Sequence, residues 1–256
     1  MIAYGNLYVI AESGRLRCYG EKGQDWPMYR HDPQGTNVGT SGPNNMSVRW
    51  KFPTGGQVIG SAALVNQKVY IGSYDKNLYC LDLWTGQKIW NFTTGLYIGW
   101  SPAVVGGRVY TGADDGIVYC LNAENGNLIW KKQITEFAPG NVSARYSYAT
   151  ASPIIYGDKL YIGGVDGKEY CLNINDGSVL WSFDTAPGAK TAFITNLKSS
   201  GTIGPDGSLY VVGSPTSTAQ KYQIYKLDST NGNVILQWRM PYTSYPPSTD
   251  TIFATP

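Results

Sequence analysis

Residues that could support catalysis or bind a metal ion are few and scattered in this chain. His31 is the only histidine, so a serine-histidine-aspartate triad could form only there, and a site with several histidines cannot form at all. The runs Asp114-Asp115-Gly116 and Asp166-Gly167 lack the spacing of a calcium-binding loop and are typical of tight hairpin turns. The sequence therefore predicts no catalytic residue and no metal ligand.

The four cysteines offer a second route to chemistry, either as disulfides or as a metal site. Cys18, Cys80, Cys120 and Cys171 all occupy one position of a repeated unit, where a further copy has Lys226. Cysteines in different copies lie too far apart for a disulfide, which requires Cα atoms within about 7 Å. We therefore expect small buried side chains rather than disulfides or a metal cluster, and we predict no cofactor.

The repeated unit is best preserved between Val69 and Trp90, VYIGSYDKNLYCLDLWTGQKIW. Its β-prone runs alternate with a polar turn and an Asp/Asn-x-x-x-Gly turn, and another apolar run precedes each copy. Four antiparallel strands in about 40 to 55 residues are typical of a propeller blade. No segment has a helical period, so the sequence predicts an all-β fold.

Five tyrosines occupy equivalent positions in the second strand and five tryptophans occupy equivalent positions in the fourth, which predicts five blades. The complete blades are expected at about residues 57–92, 98–132, 148–183 and 198–240. The tyrosines are Tyr8, Tyr70, Tyr110, Tyr161 and Tyr210, and the tryptophans are Trp50, Trp90, Trp130, Trp181 and Trp238.

The fifth blade is predicted to be split between the chain ends, from residues 251–256, 1–20 and 47–52. Placing Pro256 before Met1 reproduces the spacing from Pro153 to Tyr161, so we expect one propeller over residues 1–256, closed by both termini. A cut from a longer tandem array, or pairing of the terminal strand with a neighbouring molecule, would also explain the split. The first arrangement predicts a monomer and the last predicts a strand-exchanged assembly.

Composition excludes some classes of partner. Charged residues make up 15% of the chain and the net charge is +2, which does not suit a nucleic-acid-binding surface. No apolar run is long enough to cross a membrane, and the first residues lack the basic region and cleavage site of a signal peptide.

The pattern LYCLD-x-x-TG-x-x-x-W, together with the segment from Asp25 to Gly39, resembles the PQQ-like (pyrroloquinoline-quinone-like) β-propeller repeat family. The segment is similar to the lead-in of such propellers and is assigned here to residues 25–46. The resemblance covers nearly the whole chain. It implies a propeller fold but no single activity, because the family includes quinoprotein dehydrogenases, an outer-membrane assembly lipoprotein, kinase sensor domains and cell-surface proteins. Its dehydrogenases hold their cofactor with an adjacent Cys-Cys pair, which this chain lacks.

A candidate binding face lies where fourth strands return to first strands. Loops on this face contain aromatic and cationic residues that would converge around the central channel, and two of these loops, 134–149 and 184–198, are long. Such a set suits a glycan, a peptide or an aromatic ligand. The alternative is that the aromatic rings pack together and plug the channel. The residues are Tyr97, Trp100, Arg145, Tyr146, Tyr148, Lys190, Phe193, Tyr242 and Tyr245.

We therefore predict a non-enzymatic binding or scaffolding propeller, extracytoplasmic or at the cell surface, that recognises a protein or glycan partner. The second hypothesis is a structural subunit of an array or filament joined by exchange of terminal strands. A quinoprotein-like enzyme is the third and is disfavoured by the missing catalytic residues.

Overall fold

The structure is a computed structural model that describes residues 2–3, 6–11, 15–20, 28, 48–135, 151–164, 166–185, 201–213 and 223–239. These residues form five antiparallel sheets of four strands, each sheet built from strands in consecutive chain order. They contain no helix, and so none that is long and apolar enough to cross a membrane. The predicted all-β fold of four-stranded antiparallel units is confirmed.

The first sheet comprises β1 (Ile2–Ala3), β2 (Asn6–Ala11), β3 (Arg15–Gly20) and β4 (Val48–Pro53). The second comprises β5 (Ala63–Val65), β6 (Lys68–Gly72), β7 (Asn77–Asp82) and β8 (Lys88–Thr93). The third comprises β9 (Ala103–Val105), β10 (Arg108–Gly112), β11 (Ile117–Asn122) and β12 (Leu128–Gln133). The fourth comprises β13 (Ile154–Tyr156), β14 (Lys159–Gly163), β15 (Lys168–Asn173) and β16 (Val179–Asp184). The fifth comprises β17 (Thr202–Ile203), β18 (Leu209–Gly213), β19 (Gln223–Leu227) and β20 (Val234–Arg239).

The turn between third and fourth strands has the predicted structure. In the second sheet, Asp82 Oδ1 accepts hydrogen bonds from the backbone N–H groups of Trp84 and Thr85 at 2.9 and 2.8 Å. Gly86 ends the turn at a φ of +69°, which favours glycine. The equivalent glycines of the next three sheets also have positive φ, and they are Gly126, Gly177 and Gly232.

Consecutive sheets pack through a tryptophan of one sheet, which lies on the turn between the third and fourth strands of the next sheet. We call the face of a sheet that meets the next sheet its trailing face, and the face that meets the preceding sheet its leading face. The Trp90 ring lies against Gly126, and its indole N–H donates to the Ala123 carbonyl at 3.1 Å. The Tyr70 hydroxyl donates to the same carbonyl at 3.2 Å. Equivalent contacts join Trp50 to Gly86, Trp130 to Gly177 and Trp181 to Gly232.

The position predicted for Trp238 is wrong. In the first four sheets the tryptophan pairs with the cysteine of the third strand, as Trp181 does with Cys171. In the fifth sheet Leu236 pairs with Lys226 at that position, and Trp238 pairs with Ile224. The reason is spacing, because Trp181 follows its turn glycine by four residues and Trp238 follows Gly232 by six.

The fifth sheet is also buried on one face only. In β10 and β14 the residues after the first are all buried, whereas β18 alternates buried and half-buried residues. Leu209 and Val211, on the leading face, are 0% and 1% exposed. The trailing face of the fifth sheet is therefore more open than those of the sheets before it.

The predicted contribution of residues 251–256 to the first sheet lies outside the described residues, as does the lead-in segment except Met28, which is buried against the third and fourth sheets. The described first sheet has Ile2–Ala3 as its first strand, paired with Asn6 and Leu7. The single domain and its closure stay predictions.

Candidate functional site

The predicted binding face is at the end of the sheets where second strands turn into third strands and fourth strands leave for the next sheet. Because strands alternate in direction, these hairpins and connections share one end of the stack. Between the second and third sheets they are joined by backbone hydrogen bonds. The Asp114 N–H donates to the Tyr97 carbonyl at 2.9 Å, and the Ile98 N–H donates to the Ser73 carbonyl at 3.1 Å.

Two tyrosines form a stacked pair at this point. The rings of Tyr74 and Tyr97 have centroids 5.2 Å apart and planes 14° apart. Tyr97 is 44% exposed, and Tyr74 lies beneath it, half-buried. A Cβ on Gly99 would come 3.0 Å from the Tyr74 ring, so a larger residue there would press against the stack. The pair presents a flat aromatic surface to solvent.

Asp114 is next to this pair and occupies the hairpin position that corresponds to Tyr74. Burial raises the pKa of its carboxyl group to about 7, and the neighbouring Asp115 charge adds to the shift. Its Oδ1 atom is buried and has no hydrogen-bond partner among the described residues. The pKa of the Tyr74 hydroxyl is raised by burial, by Asp114 and by Tyr97. Asp114 therefore supplies a hydrogen-bonding group that none of the described residues uses.

Trp100 adds a buried hydrogen-bond donor that also has no partner among the described residues. It is half-buried, and its indole N–H is buried with no acceptor within the described part of the chain. The backbone beside it is fixed by hydroxyl groups of successive sheets. The Ser61 N–H donates to Ser101 Oγ at 2.8 Å, and the Ser101 N–H donates to Ser152 Oγ at 3.1 Å.

Together, Tyr74, Tyr97, Trp100 and Asp114 combine an aromatic surface with one unused donor and one unused acceptor. The exposed Tyr97 ring suits recognition of a ligand by stacking, and the donor and the acceptor lie buried beneath it. It contains no nucleophile paired with a base. We call these four residues the aromatic site.

Of the residues predicted for this face, the structure describes two, Tyr97 and Trp100, and it places both in one connection between sheets. The other predicted residues lie outside the described residues and remain predictions: Arg145, Tyr146, Tyr148, Lys190, Phe193, Tyr242 and Tyr245. Tyr74 and Asp114 were missed by the sequence analysis. Both residues occupy the same position in the hairpin between second and third strands. That position could have indicated them, because these hairpins border the predicted binding face.

The other aspartates of these hairpins have structural roles. Asp75 accepts hydrogen bonds from the Tyr79 hydroxyl at 2.7 Å, the Gly55 N–H at 2.6 Å and the Asn77 N–H at 3.0 Å. Asp115 makes the corresponding bonds with Tyr119, Gly95 and Ile117. Each carboxylate fastens its hairpin to the strand that follows and to the connection from the preceding sheet. These carboxylates are consistent with the predicted hairpin turns.

Glu169 is a buried acidic residue that the sequence analysis also missed. It is 1% exposed, and it stands where other sheets have Leu78 and Val118. Neither carboxylate oxygen has a hydrogen-bond partner among the described residues. Burial raises its pKa to about 8. With this pKa, Glu169 carries a proton at neutral pH. Its side chain is on the trailing face of the fourth sheet, two residues from Cys171, so it lies between the fourth and fifth sheets.

An open groove of about 620 Å³ runs between the second and third sheets at the outer rim. Phe92 and Tyr119 form its apolar wall, with their rings 5.6 Å apart, and Lys131 and Asp115 are at its edge. Its contacts repeat the packing between other sheets, as in the Phe52–Tyr79 pair. The groove is therefore part of the sheet packing.

The described residues do not fit a quinone cofactor of the kind that the dehydrogenases of the resembled family hold. Cys80, Cys120 and Cys171 are fully buried free thiols in three different sheets, so no two are adjacent. Burial raises the pKa of their thiols to about 12, 11 and 12. Within the described ranges, no three His, Cys, Asp or Glu side chains come together as metal ligands. The prediction of unpaired, buried cysteines is confirmed for these three.

A model of the family described as outer membrane protein assembly factor BamB matches residues 40–237 of this sequence. A comparison with curated proteins found no significant match.

Solved structures show the same fold. BamB from Moraxella catarrhalis is 19% identical, with a TM-score of 0.68 over 94% of this chain and 64% of its own. The quinohemoprotein alcohol dehydrogenase from Comamonas testosteroni is 18% identical, with a TM-score of 0.68 over 84% of this chain and 41% of its own. A europium-containing methanol dehydrogenase is 16% identical, with a TM-score of 0.65 over 84% of this chain and 49% of its own. This chain thus spans less than two thirds of the length of each.

Proposed function

Because the chain belongs to the PQQ-like β-propeller repeat family represented by the outer membrane protein assembly factor BamB, we propose that it is a non-enzymatic binding propeller that recognises a protein partner outside the cytoplasm. The observation that carries the proposal is the aromatic site, where the exposed Tyr97 ring lies on Tyr74 beside unused polar groups of Trp100 and Asp114. Recognition of protein follows the assembly-factor relative, and recognition of glycan is the alternative predicted from the sequence.

The chemistry of the aromatic site favours binding over catalysis. A stacked tyrosine pair offers a rigid apolar surface that loses little conformational entropy on contact. The Trp100 N–H and the Asp114 Oδ1 atom are buried beneath this surface and have no partner among the described residues. A ligand therefore binds first by stacking on the exposed Tyr97 ring, and it reaches these polar atoms only if the connection between the sheets shifts. The proposal includes no reaction and no cofactor.

Two exposed tyrosines on different parts of the molecule allow a matched test. Tyr97 is 44% exposed in the aromatic site. Tyr156 is 40% exposed at the end of β13, beside the turn to β14, which lies at the opposite end of the sheet from the aromatic site. The immobilised protein is first screened against extended peptides and against an oligosaccharide array. Ligands found in this way are then titrated against Tyr97→Ala, Trp100→Ala and Tyr156→Ala.

The proposal predicts that peptide affinity falls at least about tenfold in Tyr97→Ala and Trp100→Ala and stays unchanged in Tyr156→Ala. Equal affinity in all three variants would contradict the site. Binding of oligosaccharides alone, with the same pattern of losses, would keep the site and replace the protein partner with a glycan.

The second hypothesis from the sequence, a subunit joined to its neighbours by terminal strand exchange, stays a prediction. Its strand at residues 251–256 lies outside the described residues.

A further inference from the structure

The groove between the second and third sheets has walls of ordinary sheet packing, but its edge differs from the corresponding edges of other sheets. Phe92 and Tyr119 form its apolar wall, as Phe52 and Tyr79 do between the first and second sheets. Its volume of about 620 Å³ is within the range of ligand sites, and exposed residues of β12 border it. These residues of β12 decide what the groove can accept.

In the second and fifth sheets, the edge at this position is closed by a pair of amide side chains. Asn91 of β8 donates from its Nδ2 atom to Asn77 Oδ1 at 3.1 Å. In the fifth sheet, Gln237 Nε2 donates to Gln223 Oε1. Each pair joins the fourth strand to the first residue of the third strand, so the polar groups are used within the sheet.

The third sheet replaces both members of this pair. Lys131 holds the register position of Asn91, and Ile117 begins the third strand where the second sheet has Asn77. An isoleucine side chain cannot accept a hydrogen bond. Within the part of the chain that the structure describes, the Lys131 ammonium group therefore has no hydrogen-bond or ion-pair partner. Ile117 instead adds an apolar side chain to the groove.

Lys131 is also the one charge in the described lining of the groove that protein groups leave unpaired. The other charged residue of this lining is Asp115. Its carboxylate accepts hydrogen bonds from the Tyr119 hydroxyl and from the N–H groups of Gly95 and Ile117. The groove thus offers an apolar surface next to an unpaired cation, which complements an anion attached to an apolar group.

The open shape of the groove favours a segment of a protein over a small molecule. Small ligands bind in pockets that bury most of their surface, whereas this groove leaves one side of a ligand in water. An extended peptide compensates through contacts along several residues. The lining from β12 runs from Leu128 to Gln133, which is roughly 17 Å of strand and matches about five residues of an extended peptide.

We propose that this groove binds an extended acidic peptide segment of a partner protein, with an apolar side chain against the aromatic wall and a glutamate or aspartate carboxylate at Lys131. The groove borders the connection that follows β8, but it contains none of the four residues of the aromatic site. It is therefore a second binding surface, and it does not depend on the function proposed for the aromatic site.

An array of labelled pentapeptides tests the proposal on the full-length chain. Residues one and five of each peptide are apolar or aromatic, residue three is glutamate, glutamine or lysine, and the others are serine. In an extended peptide, residues one, three and five share one face. Peptides that bind on the array are then titrated in solution by fluorescence anisotropy. Glutamate peptides should bind the wild-type protein about threefold to fivefold more tightly than their glutamine matches.

Lys131→Gln should remove this preference for glutamate. The matched control is Lys132→Gln, which removes the same charge from the next residue of β12. Lys132 pairs with Val118, whereas Lys131 pairs with Tyr119, so the two lysines lie on opposite faces of the sheet. The control should keep the preference for glutamate. It also separates the groove from the general effect of lysines on an outer strand, which discourage pairing with other chains.

Two further variants identify the contact independently of stability. Lys131→Glu should reverse the preference, so that lysine peptides bind more tightly than their glutamate matches, which a misfolded variant could not do. Ile117→Asn combined with Lys131→Asn installs the amide pair of the second sheet. This double variant should lower the affinity for glutamate peptides at least about tenfold, because it removes both the apolar surface and the cation.

The outcomes that overturn the proposal are distinct. A wild-type protein that binds no peptide of the array, or binds without preference for glutamate, overturns it. Equal loss of the preference in Lys131→Gln and Lys132→Gln also overturns it, because the charge of the rim then acts without the groove. Binding that is lost in Tyr97→Ala and unchanged in Lys131→Gln places the peptides at the aromatic site, which overturns the groove but supports the proposed function.

Discussion

The indole ring of Trp90 lies on Gly126 of the following sheet, so closely that a Cβ at Gly126 would come 2.8 Å from two of its ring atoms. Gly126 also has a φ of +75°. One glycine thus meets two requirements, a left-handed backbone and contact with a large flat ring. The same pairing joins the first four sheets to their successors.

The first prediction concerns this contact. Gly126→Ala should lower the free energy of unfolding by about 2 to 4 kcal/mol, because the methyl group strains the backbone and displaces the Trp90 ring. Gly106→Ala is the matched control, since Gly106 has a φ of +59° but no atom within 4 Å of a Cβ placed there. It should cost only about 1 kcal/mol. Urea denaturation monitored by fluorescence measures both, and equal losses would show that the ring contact contributes nothing.

The second prediction concerns the buried carboxyl group of Glu169. Its pKa in the folded chain is raised by burial from 4.5 to about 8, so the folded state keeps a proton that the unfolded state loses. The associated stability is fully present below pH 4.5 and falls by up to about 1.4 kcal/mol per pH unit as pH rises toward 8.

Glu169→Gln and Glu169→Leu should both remove the dependence of stability on pH and raise the free energy of unfolding at pH 8. The leucine variant also restores the residue type that the second sheet has at this position, Leu78. Denaturant titrations from pH 4.5 to 8 give the difference between each variant and the wild type, in which the contributions of other groups cancel. A difference that does not change with pH would contradict a buried, unpaired Glu169.

The third prediction concerns Asp75. Burial raises the pKa of its carboxyl group, but hydrogen bonds from Tyr79, Asn77 and Gly55 outweigh burial and lower the pKa below its usual value. Its stabilising effect is therefore present at neutral pH and is lost as pH falls through the pKa of the folded state. Asp75→Ala should cost about 2 to 4 kcal/mol at pH 7 and less in acid. A loss that stays constant down to acid pH would mean that packing, rather than the charged hydrogen bonds, is responsible.

The fourth prediction concerns thiol reactivity. Burial raises the pKa of Cys80 and Cys171 to about 12, so the reactive thiolate is scarce at pH 8 and the sulfur atoms are shielded. Peptide mapping after iodoacetamide treatment should show both cysteines unmodified in the folded protein and fully modified in denaturant. Rapid modification of Cys171 alone would show that the interface between the fourth and fifth sheets opens.

Much of the fold could be predicted from the sequence because the repeat fixes it residue by residue. The turn from Asp82 to Gly86 has the expected hydrogen bonds, and the three described cysteines are buried as expected. The position of Trp238 was predicted incorrectly because the tryptophan was matched by type, whereas strand register is counted from the turn glycine.

The site was less predictable because it depends on contacts between repeats. Loop position alone was enough to place Tyr97 and Trp100 in the connection between the second and third sheets, where the structure has them. The stack of Tyr74 on Tyr97 could not, since it requires a hairpin and a connection to meet at Gly99. Glu169 departs visibly from the apolar residues of the other repeats, but its lack of a partner depends on the residues that face it.

The hydrogen bonds that the second-strand tyrosines and fourth-strand tryptophans make between sheets run in one direction along the chain. At the interfaces where both are described, an indole and a phenol of the earlier sheet donate to a carbonyl of the later one, as Trp130 and Tyr110 do to Ile174. Loss of the later sheet therefore leaves two donors of the earlier sheet unpaired. Opening of a later sheet should therefore speed hydrogen exchange in the earlier sheet that donates to it, whereas opening of the earlier sheet leaves the carbonyl of the later one free to accept from water.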